Sequence, residues 1–254
     1  MTSKFPPEDL TEDAFLGGKL RLLQPKTGYR AATDPVFLAA SVAAKPGQHI
    51  LDLGCGVGTA ALCLLARAAG TEATGVELQP DYADLARRNA ATNALPLDVI
   101  TADIERPPPE LTARSFDHVI LNPPFYAPDA ATAPADEGRS RAHREDTPLS
   151  AFLETGLRRL APGGTLTLIH RTERLADILA GLTPKAGEIR IKPLTARKGR
   201  PAGRILVSAR KAARGPLTLC DPLVIHEGAT HRADGASYTQ AAEAILRDAK
   251  PMIF

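Results

Sequence analysis

The chain of 254 residues predicts an α/β fold: a mostly parallel, doubly wound sheet with an antiparallel pair at one edge. Three observations carry this. From Gln48 to Ser208, short apolar runs of strand length alternate with longer amphipathic runs of helix length. The run His49–Leu53 breaks into Gly54, Gly56 and Gly58 and resumes from Ala60 as an apolar helix, which is the first half of a βαβ unit. Near the end, Ile189–Leu194 and Arg204–Lys211 read as strands, and the connection Ala196–Gly203 between them is short enough to set them antiparallel.

In chain order, residues 1–12 read as a polar, proline-containing arm. Leu20 and Leu22 alternate with Lys19 and Arg21, bracketed by Gly17-Gly18 and Pro25, as in a strand. Asp34 as N-cap and Pro35 at the first helical position begin a helix through Val36 to Ala40, ended by Pro46-Gly47. The glycine turn follows. Its glycines let backbone approach a ligand closely, and the helix behind it presents unpaired N–H groups. Asp52 ends the strand where open α/β sheets bind ligands, so a polar or charged cofactor belongs here. The dinucleotide pattern G-x-G-x-x-G fits poorly: counted from Gly54 it puts Thr59, and counted from Gly56 Ala61, at the third glycine.

Ala73–Glu77 is the second strand of the unit. Glu77 stands 19 residues past Gly58, near the spacing at which an acid meets both hydroxyls of a ribose. Asp81 caps a helix reaching Asn93, with Tyr82, Leu85 and Ala86 facing inward. Leu97–Asp103 is the third strand and its exit, Arg106–Pro109 a stiff loop, and Phe116–Leu121 the fourth strand. Asn122-Pro123-Pro124-Phe125 follows directly at that strand's carboxyl end. The polar segment 126–147 holds Arg139, Arg141, His143 and Arg144 and reads as a lid ordered by substrate, with Asp136, Glu137, Glu145 and Asp146 alongside. Leu149–Leu160 is an amphipathic helix stopped by Pro162-Gly163-Gly164, Thr165–Ile169 a strand, and Leu175–Leu182 a helix. Leu223–Glu227 and Tyr238–Leu246 close the chain as strand and helix.

Composition narrows the classes of partner. With 44% apolar and 24% charged residues and no apolar run of membrane-spanning length, a folded soluble domain is expected. Cys55, Cys63 and Cys220 show neither metal spacing nor disulfide parity, and the N-terminus lacks a signal-peptide core. A reducing cytoplasm and no metal are therefore expected. Lys185–Arg214 holds ten Lys or Arg against the single acid Glu188, a local charge of +9. The rest of the chain is then at −7 within the overall +2. A basic block beside an acidic body points to a polyanion, with Arg197, Lys198 and Arg200 as phosphate contacts.

Asp52-x-Gly54-x-Gly56-x-Gly58 resembles motif I of the class I S-adenosylmethionine (SAM) methyltransferases, and Asn122-Pro-Pro-Phe125 resembles their motif IV, used on exocyclic or amide nitrogens. The resemblance implies a Rossmann-like class I methyltransferase fold with seven strands. It places SAM against Asp52, Gly54, Cys55, Gly56, Gly58, Glu77, Leu78, Asp103, Ile104 and Asn122, with Asp103 accepting from the adenine amino group. An amino group on a base is a poor nucleophile because its lone pair is delocalised into the ring. Acceptors on both N–H bonds, here the Asn122 side-chain oxygen and the Pro123 carbonyl, draw the nitrogen toward a tetrahedral shape. Proline at 123 and 124 fixes φ and removes two competing donors. Phe125 offers a face on which a flipped base stacks.

Over most of its length the chain is similar to the bacterial tRNA adenine-N6 methyltransferases that modify the anticodon loop of a valine tRNA. Gln24-Pro-Lys-x-Gly28-Tyr29-Arg30, Arg141-Ala-His143 and the late Ile225-His226…Tyr238-Thr239 carry this narrower resemblance. It implies tRNA as partner, with Tyr29, Arg30, Phe125, Arg141 and His143 near the substrate. Residues 1–45 are then an entry segment, 46–215 the catalytic domain, and 216–254 a strand and helix packed on it. Three alternatives remain open at this point: a protein-glutamine methyltransferase, an rRNA guanine-N2 or DNA adenine methyltransferase, and a non-catalytic RNA-binding protein of the same fold.

Overall fold

The computed structural model describes residues 5–124, 147–228, 237–252 and 254. A hairpin comes first, β1 (Leu10–Phe15) antiparallel to β2 (Leu20–Pro25), followed by helix α1 (Asp34–Ala40). The main sheet then assembles in the order β5-β4-β3-β6-β7-β9-β8. Its strands are β3 (His49–Leu53), β4 (Glu72–Glu77), β5 (Leu97–Thr101), β6 (Phe116–Leu121), β7 (Leu160–Arg171), β8 (Ala186–Arg197) and β9 (Ala202–Lys211). The first five run parallel, and β9 lies antiparallel between β7 and β8. Two short strands, β10 (Thr218–Leu219) and β11 (Leu223–His226), pair parallel with the outer side of β8. The sheet is thus the expected seven-stranded α/β core, extended by two short strands.

Successive side chains of a strand point to opposite faces, and this sequence makes both faces apolar. Ile50, Ala73, Val99 and Ile120 pack with α1, α2 (Thr59–Arg67) and α3 (Pro80–Thr92). Leu51, Val76, Ile100 and Leu121 pack on the other face with α5 (Leu149–Arg159) and α6 (Leu175–Leu182). The last helix, α7 (Gln240–Leu246), joins the first layer through Ala242 and Ile245. No helix among the described residues is long and apolar enough to cross a membrane.

Several local expectations are corrected. Residues 10–12 belong to β1 and not to an arm. Arg30 binds Asp13 (2.6 Å) and Thr11 (2.7 Å), Gln24 binds Asp13 (2.7 Å), and Arg21 pairs with Glu12, so distant partners make a polar run extend. Helix α1 starts one residue early, because Asp34 does not cap it; its carboxylate meets Arg204 of β9 at 3.0 Å. Gln79, not Asp81, is the N-cap of α3, with Pro80 at N1 and Asp81 in the first turn, where its charge suits the helix dipole. The loop expected at Arg106–Pro109 leads into a single helical turn, α4 (Pro109–Thr112). Pro162-Gly163-Gly164 lies inside β7, where the register against β6 shifts, and is not a break before it. The pair β8–β9 is not at the sheet edge, since β10 and β11 cover β8.

Candidate active site

On one side of β3 lies β4, the next strand in the chain; on the other lies β6. The winding reverses here, and in open α/β sheets a crevice opens at the carboxyl ends of such strands. Leu53 and Leu121 are register partners, so the glycine turn after β3 and Asn122 after β6 leave the sheet side by side.

Gly54, Gly56 and Gly58 all have positive φ (72°, 57° and 84°), a region that side chains strain to enter. The turn is tied to β4 by the Gly54 and Cys55 N–H groups, which donate to the Val76 carbonyl (2.8 and 3.0 Å). Gly58 is the N-cap of α2 and has no side chain to do the work. Asp52 does it instead: its Oδ2 accepts from Ala61 N–H at 3.2 Å, from a position only 2% exposed. Burial pushes the Asp52 carboxyl up to about 7, against the Ala61 N–H, with the neighbouring Glu77 adding to the rise. Asp52 therefore braces the turn from below.

Glu77 ends β4 almost buried. Its Oε2 accepts from Gly56 N–H (2.9 Å) and its Oε1 from Gln79 N–H (2.8 Å). Burial raises its pKa, opposed by the N–H groups of Gln79, Gly56 and Leu78. Each oxygen retains a further lone pair for a ligand hydroxyl. The Cys55 thiol is packed against β4, where a Cβ on Gly75 would lie 2.7 Å from Sγ; burial, then Asp52 and Glu77, push the thiol well up. Leu78 is exposed beside Glu77, whereas Ile104 is buried among the α5-side residues. Asp103 lies just past β5. Its Oδ1 accepts from Glu105 N–H (2.9 Å) and its Oδ2 pairs with Arg106 (3.2 Å).

Asn122 is the least satisfied of these groups. Its Nδ2 donates to the Tyr29 hydroxyl at 3.4 Å, while its Oδ1 is buried without a hydrogen-bond partner among the described residues. A buried acceptor left empty costs about 1–3 kcal/mol, so a ligand donor at this point would gain what the fold forgoes. Pro123 is buried and Pro124 half-buried. Phe125, Arg141 and His143 lie outside the described residues.

Other expected contacts divide. Tyr29 reaches the site, its ring over Gly56, where a Cβ would meet Cε1 at 3.7 Å. Arg30 is engaged within the chain: besides Asp13 and Thr11 it binds the Pro25 carbonyl (2.8 Å), holding the β1–β2 hairpin. Arg197 donates to the carbonyls of Glu227 and Gly228. Lys198 and Arg200 are exposed on the β8–β9 turn. Since Arg171 at the carboxyl end of β7 is the register partner of Arg204, that turn projects on the same side of the sheet as Asn122.

Two residues escaped the sequence reading. Asn89 is fully buried on α3. Its Oδ1 accepts from Leu23 N–H (2.7 Å), and its Nδ2 donates to the carbonyls of Leu23 (3.1 Å) and Val57 (3.0 Å), joining hairpin to glycine turn. The signal was an amide on the inward face set by Leu85 and Ala86. His170, also buried, accepts from the Arg171 N–H at its Nδ1 (2.8 Å). Burial and then Arg174, Arg204 and Arg171 hold it down to about 4, so the ring is neutral near pH 7.

The Asp52 environment predicts a pH effect. A carboxyl whose folded pKa is raised contributes stability that is full below its ordinary 3.8 and is lost as pH rises through about 7. Asp52→Asn keeps an acceptor for Ala61 and removes the charge. In ligand-free protein it is expected to raise stability at pH 8 by up to about 4 kcal/mol. The two melting curves should converge below pH 4. A variant no more stable at pH 8 than at pH 4, relative to the parent, would contradict the raised pKa.

The donor set fits SAM. An acid at the end of β4 faces the glycine turn, and the buried Asn122 oxygen stands across from it. Among the described residues there is no cluster of three or more His, Cys, Asp or Glu able to hold a metal.

Comparison with known proteins agrees. The family described as Methyltransferase small domain matches residues 33–182. A tRNA1(Val) (adenine(37)-N6)-methyltransferase of Porphyromonas gingivalis is 30% identical over 84% of this chain and 88% of its own. A like-named protein of Dickeya chrysanthemi is 28% identical over 86% and 87%. The crystal structure of a predicted O-methyltransferase from Agrobacterium tumefaciens superposes with a TM-score of 0.69 at 27% identity, covering 86% of this chain and 98% of that one.

Proposed function

The chain belongs to the methyltransferase small domain family of SAM-dependent enzymes, and on that premise we propose that it methylates the exocyclic N6 amino group of adenine in RNA, with tRNA as the acceptor. One observation carries the reading: the unpartnered, buried Asn122 Oδ1 at the carboxyl end of β6, next to the glycine turn of β3. Relatives named tRNA1(Val) (adenine(37)-N6)-methyltransferase support the choice of base and of RNA.

In this reading Asn122 Oδ1 and the Pro123 carbonyl accept the two N–H bonds of the amino group and free its lone pair. Pro124 keeps the chain from supplying a competing donor, and Phe125 stacks on the base. When bound, SAM supplies an electrophilic sulfonium methyl. Glu77 orients the ribose, and Asp103, Leu78 and Ile104 border the adenine. Arg141 and His143 belong to the segment that meets the RNA. Residues 1–45 serve as entry segment, 46–215 as the catalytic domain, and 216–254 as an extension of it in a cytoplasmic protein.

The turn bearing Lys198 and Arg200 extends the site toward phosphates on the same side of the sheet. Replacing both with alanine is expected to weaken RNA binding and to lower the slope of log affinity against log salt by about 1 per lost contact. An unchanged slope would place the RNA elsewhere. The acceptor itself is tested by incubating the protein with methyl-labelled SAM and separate pools of unmodified tRNA, rRNA, DNA and protein. Label in tRNA is expected; label confined to DNA or to protein glutamine would refute the reading.

A further inference from the structure

Asn122 can serve as an acceptor only if its carboxamide faces the right way. Rotation by half a turn exchanges Oδ1 for Nδ2 and would present a donor to a substrate amino group, which is itself a donor. Asparagine has no intrinsic preference between these states, so a neighbour must set it.

We propose that Tyr29 is a positioning residue that orients the Asn122 carboxamide by accepting from Nδ2, which turns Oδ1 toward the pocket. The inference rests on the reading of Asn122 as the amino-group acceptor. Tyr29 Oη lies 3.4 Å from Nδ2, and Oδ1 has no partner among the described residues. The Tyr29 hydroxyl oxygen carries lone pairs able to accept from Nδ2. Burial first, then Asp34 and Asp52, raise the Tyr29 pKa, so the hydroxyl stays protonated.

Three features hold Tyr29 in place across 93 residues of sequence separation. Its N–H donates to Tyr82 Oη (3.0 Å), and Tyr82 Oη in turn approaches its carbonyl (3.4 Å). This clamp requires glycine at 28: φ is +97°, and a Cβ there would lie 2.8 Å from Tyr82 Oη. Gln24 braces the far end of the segment, its Oε1 accepting from Ala31 N–H at 2.7 Å. The run Gln24-Pro-Lys-x-Gly-Tyr-Arg thereby gains a physical role, which is to deliver one hydroxyl to the catalytic amide.

The test is Tyr29→Phe, which keeps the ring over Gly56 and removes only the oxygen. Single-turnover transfer to tRNA at saturating SAM is expected to fall about tenfold, with the dissociation constants of SAM and tRNA unchanged within twofold. In the Asn122→Asp background, where both side-chain oxygens are equivalent, the same substitution is expected to alter the residual rate by less than twofold. Independently of substrate, the Asn122 side-chain NH2 resonances, assigned by their loss in Asn122→Asp, should shift in Tyr29→Phe. A Tyr29→Phe rate within twofold of the parent, an equal tenfold loss in the Asn122→Asp background, or unmoved NH2 resonances would each overturn the inference. A parent protein inactive on every RNA would count against the adenine-amino reading instead, and the resonances would still decide the Tyr29 contact.

Discussion

Alanine at position 122 is expected to reduce methyl transfer about a thousandfold while leaving SAM affinity within a few-fold of the parent. The size follows from the role. Removing a preorganised group that stabilises charge only as the reaction proceeds typically costs about 10² to 10³ in rate. The substitution should not harm the fold, because among the described residues Oδ1 has no partner to lose and Nδ2 gives up a long bond to Tyr29. Alanine even relieves an unsatisfied buried acceptor. Rapid-quench transfer assays and calorimetry on the same preparation check both halves. Lost SAM affinity with an intact single-turnover rate would place Asn122 among the cofactor contacts and not at the reacting nitrogen.

Alanine at position 77 is expected to do the reverse, raising the SAM dissociation constant about a hundredfold and sparing the rate at saturating SAM. Two effects combine. The ligand loses a bidentate charged acceptor, and hydrogen bonds to charged groups contribute about 1.5–3 kcal/mol. The turn loses its own anchor, since Gly56 N–H and Gln79 N–H both donate to this carboxylate. Glu77→Gln separates the two: it keeps an oxygen for one of those N–H groups and is expected to fall between alanine and the parent. Calorimetric titration of the three proteins measures this order. Equal affinity for parent and Glu77→Ala would mean that the end of β4 does not meet the cofactor.

The parts of the fold that sequence made legible are those written in consecutive residues. The apolar strands from Ile50 to Ile169, the glycine turn and the strand-end position of Asn122 each follow from local pattern, and each lies where that pattern puts it. Local pattern fails where a residue's partner is far along the chain. Strand β1 is polar in sequence and extends because Arg30, Gln24 and Arg21 bind its acids. Asp34 was readable as a cap, but a basic side chain 170 residues away takes its carboxylate.

The same limit governs the site. Nothing local distinguishes an aspartate that meets a ligand from one that caps the next helix, as Asp52 does for α2. The family resemblance put Arg30 near the substrate, and nothing local showed that its guanidinium closes a network of three protein acceptors. Tyr29 carried a recognisable motif but no visible reason for it until Asn122 stood beside it. His170 followed an apolar strand by one residue and gave no sign that burial and three nearby arginines would hold its ring neutral.

Nucleoside mass spectrometry of unmodified tRNA incubated with SAM is the most direct measurement of whether the oxygen at 122 works on an amino nitrogen. The parent protein should yield N6-methyladenosine, and Asn122→Ala should yield essentially none. A methyl on a ring nitrogen or a ribose oxygen, or an undiminished yield of N6-methyladenosine from the variant, would contradict it.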